Sequence, residues 1–296
     1  MVLSSHARVI TPVFSAVGGS GRSTVAGLLA TGLAAMVPSV VLDLAPRLAS
    51  PWPEWSSAPG AGLASIPPHM PLSRRQVHAA AGTNPAPAGA GWQVLTDHRE
   101  WSAPPLAPVD APAAWHQLAA VGGWQGVVAD TAYPMAHDIV AARTAGRTGW
   151  TAAWCALPCS VPVVCTAATA SGMQALQTAL TAAAAEGLPV QRMVLALVST
   201  GDGRLPAPVR AGETMLRPRV AAVVHVPYDP QIRAFGLRDA TRLGARSLQA
   251  SDLLVQAVLA SAHASWGDPL PAAATPAALP PAHPSALPVP EKVSIP

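Results

Sequence analysis

The chain has 296 residues, half of them apolar, with a formal charge of +3, nine tryptophans, three cysteines and 33 prolines. Gly, Pro or charge interrupts every apolar run before the ~18 residues of a membrane span, and so small a net charge makes no demand for nucleic acid as a partner. Cys155, Cys159 and Cys165, with no pair of histidines nearby, make a poor metal or disulfide pattern and point to a reducing cytoplasm.

In chain order, short β-branched apolar runs alternate with longer helical stretches, the pattern of a parallel sheet covered by helices. Strands are expected at 9–16, 39–44, 93–96, 126–130, 161–166, 193–199 and 221–226. Helices are expected at 23–36, 111–120, 135–142, 171–186, 238–244 and 248–264. Most strand runs are apolar at successive positions, as strands buried on both faces require. Pro12 falls inside the first run and weakens it, or sits where no ladder bond is needed. Residues 45–91, dense in Pro, Ser, Gly and Trp, exceed an ordinary strand-to-helix connection and read as an insertion, either mobile or a partner surface. From Gly267 onward Pro and Ala dominate, so 267–296 is expected to be a disordered or polyproline-like tail on a domain of residues 1–266.

The first run is followed by Val17-Gly18-Gly19-Ser20-Gly21-Arg22-Ser23-Thr24 and then by a helix. Gly18, Gly19 and Gly21 let the backbone wrap closely and present N–H groups to phosphate oxygens. The helix N-terminus adds positive partial charge at the same point. Ser23 supplies a hydroxyl where Mg²⁺ takes an oxygen ligand. A plain glycine turn is the alternative for the glycines taken alone. Two later runs end in aspartate, Val40-Val41-Leu42-Asp43 and Gly126-Val127-Val128-Ala129-Asp130. Ligands of open parallel sheets bind outside that end of the strands, and an aspartate there can hold Mg²⁺. A dinucleotide cofactor is disfavoured, because Thr24 stands where the last Gly of G-x-G-x-x-G belongs.

In this order the segments resemble the ParA/MinD group of deviant-Walker ATPases, over roughly residues 7–265. Ser15 to Thr24 is similar to the family loop S-x-K-G-G-x-G-K-[ST]-T, and Val41-Leu42-Asp43 to the strand before the first switch. Val128-Ala129-Asp130-Thr131 is similar to the second acidic strand, and Val226-Pro227-Tyr228-Asp229-Pro230 to a late I-P-x-D segment near the nucleotide base. The resemblance implies an α/β fold: a parallel β-sheet P-loop NTPase domain with helices on both faces. It implies ATP and Mg²⁺ as ligands. Gly18, Gly19, Ser20, Gly21, Arg22, Ser23 and Thr24 would hold the phosphates, Pro227 would lie by the base, and Ser23 and Asp130 would hold magnesium. Arg22 and Asp43 would serve any catalysis. It further implies a cytoplasmic protein that positions or assembles a larger machine (partitioning, division, secretion or conjugation), with protein partners and a homodimer.

Three departures qualify the activity. The family's signature lysine is Val17 here, its loop lysine is Arg22, and the aspartate two residues after Asp43 is Ala45. Lys292 is the one lysine of the chain, so Arg22 fits a general preference for arginine. A planar guanidinium is nonetheless no simple substitute for a compact ammonium. Loss of the transition-state cation and the water-positioning carboxylate removes several kcal/mol of barrier lowering. Binding with slow hydrolysis is therefore expected, and a pseudo-ATPase scaffold that no longer binds nucleotide is the alternative. Similar loss of loop lysines occurs in the TadZ/CpaE-like branch.

The remaining features carry less. Arg204, Arg210, Arg217, Arg219, Arg233, Arg238, Arg242 and Arg246 read as solvated loop and helix faces rather than a patch for non-specific DNA. Helix 248–264 holds Asp252 and no Lys or Arg, so it reads as docked on the sheet, not as a membrane-seeking helix. Trp52, Trp55, Trp92 and Trp101 either anchor a partner or staple the long insertion to the domain.

Overall fold

The glycine loop joins the first strand, β1 (Val9–Ser15), to α1 (Arg22–Ala34), which leads to β2 (Ser39–Asp43). These elements and those that follow come from a computed structural model, which describes residues 3, 6–67, 71–106 and 111–273. The long insertion folds into α2 (Trp52–Trp55), α3 (Arg74–Ala80) and a three-residue β3 (Gly82–Asn84), followed by β4 (Trp92–Leu95). Next come α4 (Pro112–Gly122), β5 (Gly126–Pro134), α5 (Met135–Thr144), α6 (Trp150–Cys155), β6 (Val163–Ala167) and α7 (Ala170–Ala185). The chain continues through β7 (Val194–Val198), α8 (Ala207–Leu216), β8 (Ala222–Val226), α9 (Pro230–Phe235) and α10 (Ala245–Trp266).

The strands form one sheet in the order β3-β4-β2-β5-β1-β6-β7-β8. Every pairing is parallel except β3 with β4. Strand periodicity sends alternate residues into two cores. On one face Val9, Val13, Val41, Val128 and Cys165 pack with α1 and α10; on the other Ile10, Phe14, Leu42, Ala129 and Val164 pack with α3 to α8. The sheet is thus covered on both faces, as its continuous apolar strands require. No helix among the described residues is long and apolar enough to cross a membrane.

Pro12 keeps its place in a central strand because of where its missing N–H falls. Ile10 and Ala16, an even number of residues away, donate toward the β6 side, to Cys159 O and Cys165 O. Pro12 faces that same side, between the isolated bridge of Ile10 to Ser160 and the start of the β1–β6 ladder at Val13 and Val163. The proline therefore falls in the gap between those two paired stretches, where it interrupts the pairing without ending it.

Tryptophan contacts hold the insertion to the domain. Trp52 and Trp92 are fully buried, and Trp55 packs against the same core. Trp52 meets both of them edge-on, at ring-centroid distances of 5.6 and 5.7 Å, a favoured aromatic geometry. Of the four tryptophans in question, Trp101 alone stands in solvent, 77% exposed. The docked reading of the last helix holds: Leu254, Val255, Val258, Leu259 and Ala262 are buried.

The structure adds elements the sequence pattern did not suggest, namely α2, α3, β3, α6, α8 and α9. The helix expected at 238–244 shrinks to one 3₁₀ turn at Ala240–Arg242. The fold also runs past Gly267. Leu270 is buried in the core, and Ala273 N–H donates to His6 O (2.7 Å). Residues 274–296, most of the expected tail, lie outside the described residues.

Candidate functional site

The carboxyl end of the central strand β1 opens into a loop whose N–H groups have nothing to bind. Gly19 and Gly21 take left-handed backbone at φ 74 and 77, a region open to glycine at little cost. Gly21 also has no room for a side chain, since a Cβ there would lie 2.9 Å from Val198 Cγ1 at the end of β7. Gly21 caps α1 without a side-chain bond, and the first N–H returned to the loop is that of Val25, to Gly21 O (2.9 Å). Among the described residues, the N–H groups of Gly18, Gly19, Gly21, Arg22, Ser23 and Thr24 donate to no protein acceptor. Around Gly18 and Gly19 the space is open. Unpaired N–H groups at a helix N-terminus form an anion-binding concavity. The Ser20 side chain turns away from this opening, its buried hydroxyl donating to Val17 O.

Beside the loop, sheet register places Asp43 of β2 directly opposite Asp130 of β5. The two carboxylates are handled differently. Asp43 is wrapped in neutral donors: Ser50 Oγ and Thr96 Oγ1 each donate to Oδ2 at 2.6 Å, and Ala45 N–H donates to Oδ1 at 3.1 Å. Burial, reinforced by the neighbouring Asp130 charge, pushes its pKa up to about 7, against the pull of those three donors. Asp130 is instead paired with a cation. Arg22 Nε donates to its Oδ1 at 2.6 Å, and the buried Trp52 indole N–H donates to its Oδ2 at 2.7 Å. Arg22 Nη1 continues to Ala132 O at 3.1 Å, so the guanidinium bridges two points of β5. The Asp130 side chain is 1% exposed, that of Arg22 16%.

Pro227 lies at the same end of the sheet. It follows Val226, which pairs in register with Val198, the residue packed on Gly21. Two residues on, Asp229 caps α9: Oδ1 accepts from Gln231 and Ile232 N–H, and Oδ2 from Gly244 N–H and Ser247 Oγ. Beyond it α9 and α2 enclose a cleft of about 520 Å³ lined by Glu54, Trp55, Arg233, Phe235 and Arg238. Trp55 ties this cleft to the loop, because it stacks edge-on against Trp52, the partner of Asp130.

No protein-family model matches the chain, and no curated protein matches it by sequence at a significant level. Solved structures do. A ParA family ATPase from Chlorobium tepidum TLS superposes with a TM-score of 0.58 at 13% identity, over 86% of this chain and 99% of the other. A candidate plasmid partition protein from Borrelia burgdorferi B31, bound to AMPPNP, gives 0.52 at 11% identity, over 86% and 98%. The cell division ATPase MinD from Pyrococcus furiosus gives 0.50 at 16% identity, over 85% and 98%. This chain has the ParA/MinD fold.

Set in the ParA/MinD fold, the expected residues divide into two groups. Gly18, Gly19, Gly21, Ser23 and Thr24 form the loop and the helix start as expected, with Ser20 turned inward. Arg22, Asp43 and Asp130 gather beside them, but in bonds with the protein itself. The donor set that a ParA/MinD fold would use for magnesium is not assembled by these residues. Mg²⁺ requires near-octahedral oxygen ligands and one or two carboxylates. Asp130 has both oxygens engaged, one by a guanidinium, and Asp43 has both engaged by three donors. The Ser23 hydroxyl remains. The residue that sequence reasoning did not assign is Trp52. Its one visible signal was an indole in a stretch otherwise lacking apolar periodicity, and its partner lies 78 positions away.

Proposed function

We propose that this protein is an ATP-binding member of the ParA/MinD group that positions or assembles a larger machine and turns ATP over slowly. The observation that carries the binding reading is the run of loop and helix N–H groups with no protein acceptor, at the carboxyl end of the central strand. Six such donors beside open space match an oligophosphate in number and chemistry. The cleft between α2 and α9, with Trp55 and two arginines, is suited to the base and sugar. Slow turnover is supported by Val17, Ala45 and an Arg22 whose Nε and Nη1 are held by Asp130 and Ala132 O, which ties it to β5.

A second reading, the scaffold that has kept the fold and no longer takes nucleotide, is favoured by the same Arg22–Asp130–Trp52 contact, which closes part of the site from within. Thermal unfolding of the full chain with ATP, ATPγS and GTP separates the two. Nucleotide at 100 times its dissociation constant adds about 2.7 kcal/mol of stability. A shift specific to ATP and ATPγS supports the binding protein; an unchanged transition with every nucleotide supports the scaffold.

A further inference from the structure

We infer that the phosphate loop of this chain takes its nucleotide without a divalent cation, with the Arg22 guanidinium neutralising the carboxylate that a metal would otherwise use. The inference rests on the nucleotide-binding reading above and specifies the charge state of the ligand: free ATP, not its magnesium complex.

Three observations carry it. First, Asp130 is already neutralised. Its side chain is 1% exposed, and its oxygens accept from Arg22 Nε and Trp52 Nε1 at 2.6 and 2.7 Å. A dication approaching Asp130 meets a fixed positive charge at contact distance, and the repulsion is strong where water is excluded. Second, the blockade is built into the fold. Trp52 is wholly buried, packed between Trp55 and Trp92 and against Gly27 of α1, where a Cβ would lie 3.2 Å from its ring. Arg22 is pinned at a second point by Ala132 O. Freeing Asp130 therefore means breaking a buried ion pair and unseating a core tryptophan together. Third, the neighbouring carboxylate offers no replacement. Both oxygens of Asp43 are already engaged, Oδ2 by Ser50 and Thr96 and Oδ1 by Ala45 N–H.

The remaining positive groups suit an unmetallated polyphosphate. Arg22 Nη2 has no hydrogen-bond partner among the described residues, so the same side chain that neutralises Asp130 keeps donors for an anion. Guanidinium is the cation best matched to phosphate oxygens in planar pairs. With the loop N–H groups its free Nη2 supplies directed donors to phosphate oxygens.

The test is calorimetric titration of the full-length, EDTA-treated protein with ATPγS, in excess EDTA and in excess Mg²⁺. The expected result is binding in EDTA at least as tight as in Mg²⁺, since chelation of ATPγS by the metal removes the free form. Binding that is tenfold or more tighter with Mg²⁺, or seen with Mg²⁺ alone, overturns the inference and leaves the nucleotide reading intact. Absence of binding under both conditions overturns both. Two variants probe the cause. Arg22→Lys with Trp52→Phe keeps a charge in the loop and a ring in the core, and releases the Oδ2 of Asp130. It should acquire a preference for Mg²⁺ of tenfold or more, with a native far-ultraviolet circular dichroism spectrum. Arg22→Lys alone, with the indole still in place, should shift less. A folded double variant as indifferent to Mg²⁺ as the parent would also overturn the assignment to these side chains.

Discussion

Arg22 and Asp130, 108 positions apart in the chain, hold each other at 2.6 Å between the first turn of α1 and the end of β5. By the resemblance drawn from the sequence, the arginine corresponds to the loop lysine of the ParA/MinD group and the aspartate to the end of its second acidic strand. In this chain the two residues are bonded to each other, and the predictions below follow from that pairing and its surroundings.

Arg22→Ala leaves the buried Asp130 carboxylate with one neutral donor. Removing one partner of a buried pair costs about 3–5 kcal/mol because the other charge is stranded. Urea unfolding should show a loss of that size. Asp130→Asn should cost less, since the amide still accepts from Trp52 and leaves the more exposed arginine to solvent. Equal losses for the two variants would contradict a stranded-charge origin.

Gly21→Ala should destabilise the fold by about 1–3 kcal/mol, the usual cost of holding a non-glycine residue in left-handed backbone. Its new Cβ would also press on Val198 at 2.9 Å. The same change displaces the start of α1, so nucleotide-dependent stabilisation should be lost. Gly18→Ala, with open space and ordinary φ, should fold with a midpoint close to that of the parent.

Asp43 gives the protein a pH signature of definite sign. Its folded pKa is raised to about 7 from an ordinary 3.8, so between those values the native state holds a proton that the unfolded chain has released. The contribution of Asp43 is complete below about pH 4 and falls away as pH rises toward 7. Asp43→Asn should remove that decline, which melting temperatures across the interval will show. An unchanged slope in the variant would mean that Asp43 ionises at an ordinary pH.

Turnover should be slow. With Val17 and Ala45 where the resemblance to the ParA/MinD segments expects a lysine and an aspartate, and Arg22 engaged by Asp130, steady-state ATP hydrolysis should lie well below the ~1 s⁻¹ lower end of ordinary enzyme rates. Phosphate release by the purified chain measures it directly, and a rate above that bound would show that other groups have taken over the chemistry.

What the sequence exposes and what it hides differ by range. The glycine loop is legible because its chemistry is contiguous: Gly18, Gly19, Gly21 and the start of α1 form within eight residues. The parallel strands are legible because burial on both faces writes an unbroken apolar run. β3 escapes notice because it is three residues long, with strand-disfavouring Gly82 and Asn84 on either side of Thr83, and is held by its antiparallel pairing with β4. α8 is amphipathic, burying Val209, Gly212 and Leu216, but it escapes because Pro206 and Pro208 open it and Gly212 interrupts it, residues that read as helix breakers. The partners of Asp130 are hidden for the same reason. Both arrive from other parts of the chain, and motif matching assigns Asp130 by its position without showing that an arginine and an indole already occupy it.

The bond from Ala273 to His6 has a consequence for geometry. His6 precedes β1 and the glycine loop follows it, so the last described residue is anchored at the far end of a seven-residue strand, roughly 20 Å from the loop. The sheet thereby holds Ala273 and the phosphate loop apart, at opposite ends of its central strand.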